Sequence, residues 1–355
     1  MSTPHEIALL RLAAQRVVGP PLPAAADVVA WLTAVQAQDD AGALTSVALR
    51  TAARSRADVV AAFDEGRIVR SWPMRGTLHT VLAADLVWML DLMTPRPRAA
   101  AAKRRPQLGL HEADVTKAHG LAVTALAAAA PAGLTRAELL AVWDAAGLAT
   151  AGGRGYHLIA ELAQRGVLCL GPVRDGAQLF VLVDSWVRDA RQLDRDDALA
   201  ELAVRYFRGH GPATVADLIR WSGLPAADVR AGTAAVRDRL DTMTVDGTDY
   251  LLDPATPQRL ADCRDEAGGV VLLPGFDEVI LGYADRSMTL PKEFADRIVP
   301  GGNGVFRPTV IADGRVVGTW RHVGKPSTRR IEATPFTAFS DEVAEAIPGA
   351  YARLP

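Results

Sequence analysis

Helical and strand-like patterns alternate along residues 1–253, always in the same order. Apolar residues recur at the spacing of one buried helix face over 5–17, 26–36, 41–53 and 55–66. The spacing then becomes that of strands at 68–72 and 77–82, which a stretch containing Pro and Gly joins at 73–76. Helices followed by a short β-hairpin predict a winged helix-turn-helix motif.

The same order of elements occurs twice more. Helix, helix and hairpin are predicted at 134–148, 153–168 and 169–186, and again at 211–221, 225–236 and 240–253. Pro225 suits the first turn of its helix, and Asp246-Gly247 is typical of a tight hairpin turn. The three copies share no residue-level match, so the repeat is one of structure.

The last hundred residues have a different character. The stretches 268–286 and 304–322 are rich in Val, Ile, Gly and aromatic residues and predict antiparallel strands, and 337–347 predicts a closing helix. The predicted fold class is therefore α+β, with three tandem winged helix-turn-helix motifs scaffolded by a C-terminal antiparallel β-barrel-like region. The predicted domains are 1–110, 111–200, 201–255 and 256–355.

Composition is that of a chain with a packed core: 49% of the 355 residues are hydrophobic and 23% are charged. Cys169 and Cys263 are too few and too far apart for a zinc ribbon or a disulfide framework, which favours a reducing compartment. The N-terminus lacks the pattern of a secretory signal, and the longest apolar run, 121–134, is too short to span a bilayer. We expect a cytoplasmic, nucleoid-associated protein with no membrane partner. We also expect a monomer.

Charge is distributed unevenly although the net charge is only −2. Residues 67–110 contain eight Arg or Lys against two Asp, and 280–330 contain nine basic against four acidic residues. Residues 175–202 contain seven acidic against three basic residues. Clustered basic segments in a nearly neutral chain either form one basic face for nucleic acid or are simply solvated surface.

Motifs for nucleotide cofactors, for a nucleophile elbow and for zinc proteases do not occur in the sequence. His111 and His119 are eight residues apart, which is not a metal-ligand spacing. We therefore expect no metal and no cofactor.

Two stretches carry a resemblance to a known family. The first is Gln36-Ala37-Gln38, and the second is a hairpin motif formed by Arg70, Trp72, Met74, Arg75, Gly76, Thr77, Leu78 and His79. Together they resemble the winged-helix DNA glycosylases of the azinomycin-resistance type, the AlkZ-like and YcaQ-like family. That family's catalytic signature is Gln, any residue, then Gln or Asp. The resemblance covers nearly the whole chain and implies that Gln36 and Gln38 are catalytic.

Two neutral carboxamides are consistent with the chemistry that the resemblance implies. Residues i and i+2 do not face each other in a helix, so Gln36 and Gln38 can share a target only if the helix is ending there. Such a pair can hold one water. An N7-alkylated purine carries positive charge and leaves as a neutral base, so it needs no general acid and only an oriented water. The alternative is that both glutamines cap a helix end.

Candidate DNA contacts lie mainly in the basic segments. Arg70, Arg75 and His79 are on or near the first hairpin, where basic side chains often meet phosphate, although Arg75 can instead pair with Asp85. Arg98 belongs to the basic run 96–105, for which phosphate contact and a solvated surface are equally open. Arg286 is a further candidate, with an ion pair involving Asp277 or Asp285 as its alternative. Trp72 and Met74 are expected in the core.

The predicted function is a monofunctional DNA glycosylase that acts on double-stranded DNA carrying alkylated bases. The substrate class that the resemblance favours is N7-alkylguanine, including bulky or cross-linking adducts. Water rather than a lysine would attack C1′, in agreement with a lysine-poor chain. A non-catalytic winged-helix regulator and a protein-interaction scaffold are the alternatives. Whether the base is flipped stays open.

Overall fold

The structure is a computed structural model that describes residues 3–325 and 328–355. Its helices are α1 (Pro4–Ala14), α2 (Ala25–Leu32), α3 (Asp40–Leu49), α4 (Arg56–Asp64), α5 (Leu86–Met93), α6 (Pro95–Arg104), α7 (Glu112–Ala129), α8 (Arg136–Ala145), α9 (Arg154–Gln164), α10 (Val183–Trp186), α11 (Arg195–His210), α12 (Val215–Ser222), α13 (Ala226–Ala235), α14 (Thr256–Asp262), α15 (Arg264–Gly268), α16 (Glu278–Leu281), α17 (Ala295–Ile298) and α18 (Asp341–Ala352).

Its strands are β1 (Val35–Gln36), β2 (Ile68–Met74), β3 (Thr77–Leu82), β4 (Leu168–Arg174), β5 (Ala177–Leu182), β6 (Asp241–Val245), β7 (Thr248–Leu252), β8 (Val270–Leu273), β9 (Thr309–Ala312), β10 (Arg315–Val323) and β11 (Arg330–Pro335). The chain forms two compact units. A central unit comprises 59–198, and a discontinuous unit comprises 1–58 and 199–355. The four-domain division predicted from the sequence stays a prediction.

Helices and hairpins follow one another in the predicted order. The pairs α8–α9 and α12–α13 precede the hairpins β4–β5 and β6–β7, and α3–α4 precede β2–β3. Each of these hairpins turns through two residues with positive φ, the second of which is a glycine, as in Arg75-Gly76 and Asp246-Gly247. This conformation matches the right-handed twist of the two strands that it connects. The elements are confirmed, whereas their arrangement as three winged helices stays a prediction.

The central unit contains an antiparallel sheet in the strand order β3-β2-β4-β5. Its core combines residues of α7, α8 and α9 with one side of the sheet, including Trp72, Trp143 and Phe180. Trp72 and Met74 are both buried, as predicted. The apolar residues Leu158, Ile159 and Leu162 of α9 pack into this core, and the buried part of the helix also includes Glu161 and Gln164.

The discontinuous unit contains an antiparallel four-stranded sheet in the order β11-β10-β9-β8. Neighbouring residues of one strand enter different cores: Val310 packs in a cluster with α18, and Ile311 packs in the cluster that contains residues of α1. Successive strand residues point to opposite faces, so both faces of this sheet are covered. With both faces covered, the sheet can stay open instead of closing into a barrel.

Two expectations for the C-terminal region were wrong. None of the described sheets closes into a barrel, so the β-barrel-like region is an open sheet covered on both faces. The predicted strand stretch 268–286 is a strand only over β8, and α16 follows within it. The cause is local, because the Asp277 side chain accepts a hydrogen bond from the Val279 N–H and starts a helix.

Candidate active site

Gln36 and Gln38 lie in an extended segment of the discontinuous unit between α2 and α3. The helix that we expected to end at these residues ends at Leu32, and Thr33 has a φ of 70°. Gln36 is the last residue of β1. Alternate residues of an extended segment point to the same side, so the two glutamine side chains lie together for a reason other than the predicted helix end. Asp39 is the N-cap residue of α3, which begins directly after the glutamine segment.

The two carboxamides are bonded to each other. Gln36 Nε2 donates to Gln38 Oε1 at 2.5 Å, and the Gln38 backbone N–H donates to Gln36 Oε1 at 3.2 Å. Gln36 is only 5% exposed, whereas Gln38 is exposed. A carboxamide has two N–H donors and an oxygen that accepts twice, so each side chain keeps capacity for a further partner. The pair can therefore hold a water at its exposed side.

A buried carboxylate lies behind Gln36. Glu278 Oε1 accepts a hydrogen bond from the Gln36 backbone N–H at 3.3 Å. Its Oε2 accepts from the Trp221 indole N–H at 2.9 Å and lies 3.4 Å from His210 Nε2. The side chain of Glu278 is 2% exposed and that of His210 is fully buried.

The residue before Glu278 forms a second buried ionic contact. Asp277 accepts two hydrogen bonds from Arg50, both of 2.9 Å, and one from Ser46 Oγ at 2.6 Å. Burial alone would raise the pKa of Asp277, but the charge and hydrogen bonds of Arg50 and the bonds from Ser46 and the Val279 N–H outweigh it and lower that pKa. Asp277 is thus paired with Arg50, not with Arg286.

Three of the predicted DNA contacts lie on the first hairpin of the central unit. Arg70 is half-buried on β2, opposite Leu170 of β4. Arg75 is in the turn, and its Nη2 lies 3.4 Å from His79 Nε2. His79 is fully buried, and its Nδ1 lies 2.9 Å from the Thr77 carbonyl oxygen. The structure therefore brings Arg75 and His79 together, with Arg75 as the more accessible of the two.

Arg98 belongs to an ionic cluster of the central unit around the buried carboxylate of Glu161. Arg98 Nη2 lies 3.3 Å from Glu161 Oε1, and Arg105 and Arg165 contact the same carboxylate at 2.7 Å. Burial would raise the pKa of Glu161, but the bond from Arg165 and the charges of Arg105, Arg98 and Arg165 lower it. The side chain of Arg98 remains 34% exposed.

Arg286 lies in the discontinuous unit, in the loop that follows α16. Its Nε donates to the Ile280 carbonyl at 2.7 Å, and its guanidinium lies 5.1 Å from the centre of the Phe306 ring. Burial, followed by the nearby charge of Arg220, lowers the pKa of Arg286. Its contacts with DNA, like those of the other four residues, stay predictions.

No group of three or more His, Cys, Asp or Glu side chains is placed to hold a metal ion within residues 3–325 and 328–355. Both cysteines are buried and free, and burial raises the pKa of Cys169 to about 12. Sequence analysis missed Glu278, Trp221 and His210. Glu278 lies in the stretch 268–286, which was predicted only to form strands. His210 and Trp221 are distant from it in sequence and come close to it only in the folded protein.

Comparison with known proteins establishes the relationship that the two motifs suggested. Residues 29–354 match the model of a protein family described as "DNA glycosylase AlkZ-like". The chain belongs to this family. Members of the AlkZ-like family are DNA glycosylases, hydrolases that act on N-glycosyl bonds, and the predictions of family and enzyme class are confirmed.

Two relatives of the AlkZ-like family support the assignment. An interstrand DNA cross-link repair glycosylase of Streptomyces sahachiroi is 30% identical over 334 residues, which cover 88% of this chain and 85% of the relative. The solved structure of Streptomyces sahachiroi DNA glycosylase AlkZ matches with a TM-score of 0.79 and 26% identity, over 99% of this chain and 95% of that one.

No helix in the described part of this chain is both long and apolar enough to cross a membrane.

Proposed function

We propose that this AlkZ-like glycosylase hydrolyses the N-glycosidic bond of alkylated bases in double-stranded DNA, with a water oriented by Gln36 and Gln38. The observation that carries the proposal is the mutual bonding of the two carboxamides on one side of an extended segment. One bond joins the two carboxamides and the other ties the Gln36 carboxamide to the Gln38 backbone, so their remaining donors and acceptors have a defined direction. Orientation of this kind can lower a barrier by several kcal/mol.

The substrate class follows from what the site contains. In the reaction, the bond between C1′ and the base nitrogen breaks and its electron pair leaves with the base. Water then bonds to C1′ and releases a proton to solvent. A base alkylated at N7 is a cation before it leaves, so the departing electron pair neutralises it and no general acid is required. Carboxamides neither donate nor remove protons at neutral pH, so N7-alkylguanine is the substrate for which they suffice.

Bulky and cross-linking adducts are included in the proposed substrates. The relative from Streptomyces sahachiroi is named as an interstrand DNA cross-link repair glycosylase, which supports this extension. Water rather than an amine is proposed as the nucleophile, since the residues next to the two glutamines include no lysine. The mechanism is therefore monofunctional and leaves an abasic site.

DNA is proposed to bind through three winged helices and the basic segments. The side chain of Arg98 is 34% exposed, and Arg75 is a half-buried residue at the turn of the first hairpin; both are proposed to contact phosphates. Arg70 and Arg286 are half-buried and His79 is buried, and each is proposed as a further DNA contact within its own unit. A monomeric protein of the cytoplasm remains our expectation.

The test uses duplexes that contain N7-methylguanine or a bulky N7 adduct, with abasic sites detected by alkaline cleavage. Wild-type protein should release both bases, and Q36A and Q38A should each lower the single-turnover rate by about 10- to 1,000-fold. Q258A is a matched control because Gln258 is an exposed glutamine of the same unit that bonds only locally, to Asp262. It should excise at the wild-type rate.

Affinity for DNA separates loss of chemistry from loss of binding. Two neutral side chains add little to phosphate binding, so Q36A and Q38A should bind the duplex as wild type does. A double alanine variant that folds, binds DNA and excises at the wild-type rate would refute the proposed mechanism. Release of neither base by the wild-type protein would refute the proposed substrate class.

A further inference from the structure

Glu278 is a buried acidic residue directly behind the glutamine pair. It is the first residue of α16, the short helix that Asp277 caps, and this position directs its carboxylate toward β1. Burying a carboxylate is unfavourable unless its partners compensate for the lost hydration. A charge kept in such a position, in contact with the main chain of Gln36, calls for a reason beyond packing.

Donors on both sides of the carboxylate hold it in place. Oε1 accepts from the Gln36 backbone N–H, and Oε2 accepts from the Trp221 indole. His210 Nε2 lies 3.4 Å from Oε2, and its ring stacks on Tyr206 at 4.7 Å between centroids. These contacts occupy both oxygens and fix the orientation of the carboxylate. The aromatic rings around the carboxylate exclude water, and a charge acts more strongly on its surroundings where water is excluded.

Loss of a base leaves positive charge on the sugar. The transition state of glycosidic hydrolysis resembles an oxocarbenium ion, with the charge shared between C1′ and the ring oxygen. A fixed negative charge behind the residue that orients the water stabilises that state more than the neutral sugar of the substrate. The glutamine pair alone provides orientation but no charge.

We propose that Glu278 is a positioning residue that fixes the main chain of Gln36 and provides the negative charge for the cationic sugar. This inference rests on the proposed function, since it assumes that the glutamine pair faces C1′. It assigns to one buried side chain the electrostatic contribution that other glycosidases obtain from a carboxylate in contact with the sugar. The Asp277–Arg50 pair next to it is already neutral as a unit and has a structural role.

The experiment compares wild type, E278Q and E278D in two assays. The first measures binding to duplexes that carry either a pyrrolidine abasic analogue, which is cationic at neutral pH, or a neutral tetrahydrofuran analogue. Wild type should bind the pyrrolidine duplex about 10-fold or more tightly than the tetrahydrofuran duplex. E278Q, which keeps the size of the side chain but removes its charge, should lose this preference and bind the tetrahydrofuran duplex as wild type does.

The second assay measures single-turnover release of N7-methylguanine. E278Q should lower the rate by about 10- to 100-fold, and E278D, which restores the charge on a shorter side chain, should recover part of it. A purely structural role predicts equal losses for both analogues and no recovery by E278D. That result would overturn the proposal.

The two assays also separate this inference from the proposed function. If Q38A loses excision while E278Q keeps both the wild-type rate and the preference for the cation, the inference is wrong and the proposed function stands. If wild-type protein releases no alkylated base, the proposed function is wrong. Should E278Q fail to fold, wild type alone decides, because equal binding of the two analogues would overturn the role of the charge.

Discussion

Arg50 and Asp277 form a two-point ion pair in the interior of the discontinuous unit. Nη1 lies 2.9 Å from Oδ2 and Nη2 lies 2.9 Å from Oδ1, and neither side chain is more than 1% exposed. Arg50 follows the last residue of α3, and Asp277 precedes α16. The pair therefore ties the helix that follows the glutamine segment to the helix that begins with Glu278.

We predict that D277A destabilises the protein by about 3–5 kcal/mol, because it leaves the charge of Arg50 buried without its partner. Urea unfolding followed by circular dichroism measures the loss. D265A is a control with the same chemical change at an exposed position of the same unit, and it should stay within about 0.5 kcal/mol of wild type. Equal stability of D277A and D265A would contradict the structural role of the pair.

The same pair predicts a dependence of stability on pH. The pKa of Asp277 is lowered in the folded protein from its ordinary value of 3.8, so its contribution is complete above that value and is lost as the pH falls below it. The difference in free energy of unfolding between wild type and D277N should be constant from about pH 7 to 5 and shrink below about pH 4. A difference that grows on acidification would have the wrong sign for a lowered pKa.

Local patterns predicted most of the elements correctly. The order of helices and hairpins depends on periodicity and on turn residues such as Asp246-Gly247, which act over a few neighbours. Closure of a sheet depends on which elements cover its faces. Apolar residues such as Val310 and Ile311 are compatible both with a barrel and with an open sheet between two cores, so the sequence did not distinguish these alternatives.

The placement of Gln36 and Gln38 on one side was predicted, but for a reason that the structure corrects. Gln36 and Gln38 were selected by their resemblance to a family signature, but an extended segment rather than a helix end places them on one side. Glu278 was not predicted because its contact with Gln36 spans 242 positions of sequence. No periodicity or spacing rule reaches that far.

We predict that Q38D retains excision within about 10-fold of wild type, whereas Q38A does not. A carboxylate at this position can still accept from Gln36 Nε2 and orient water, and the family signature includes a Gln/Asp form. Single-turnover release of N7-methylguanine gives the comparison. A Q38D rate as low as that of Q38A would show that the N–H donors of Gln38, rather than its oxygen, hold the water.

Chelation provides a further test. Because water is oriented by carboxamides in the proposed mechanism, excess EDTA should leave the rate of base release unchanged. The measurement is made at fixed ionic strength, since chelator salts also weaken DNA binding. A rate that falls with EDTA and returns with added zinc or magnesium would contradict a mechanism that depends on the two glutamines alone.

Arg75, at the turn of the first hairpin, should make a phosphate contact. We predict that R75A weakens binding to any duplex sequence and reduces the slope of log K against log salt by about 0.9, the value for one phosphate. R188A is the control, because Arg188 is an exposed arginine of the same unit in an acidic segment of the sequence. Its slope should equal that of wild type. An unchanged slope in R75A would remove this side chain from the DNA interface.

Arg98 has a structural contact that a test must separate from any contact with DNA. Three arginines contact Glu161, and Glu112 contacts two of them, Arg105 and Arg165. Three positive and two negative side chains leave the cluster with a net positive charge. Arg98 is the most exposed of the three arginines. Since Arg105 and Arg165 still neutralise Glu161 in R98A, we predict a loss of at most about 1 kcal/mol in stability. The salt slope should fall by about 0.9. E161Q should instead lower stability by about 3 kcal/mol, because it removes the carboxylate nearest to the buried Arg105 and leaves it only the more distant, exposed Glu112. Urea unfolding and salt-dependent binding, measured on both variants, distinguish the two roles: a stability loss in R98A as large as that in E161Q, with no change in slope, would make Arg98 purely structural.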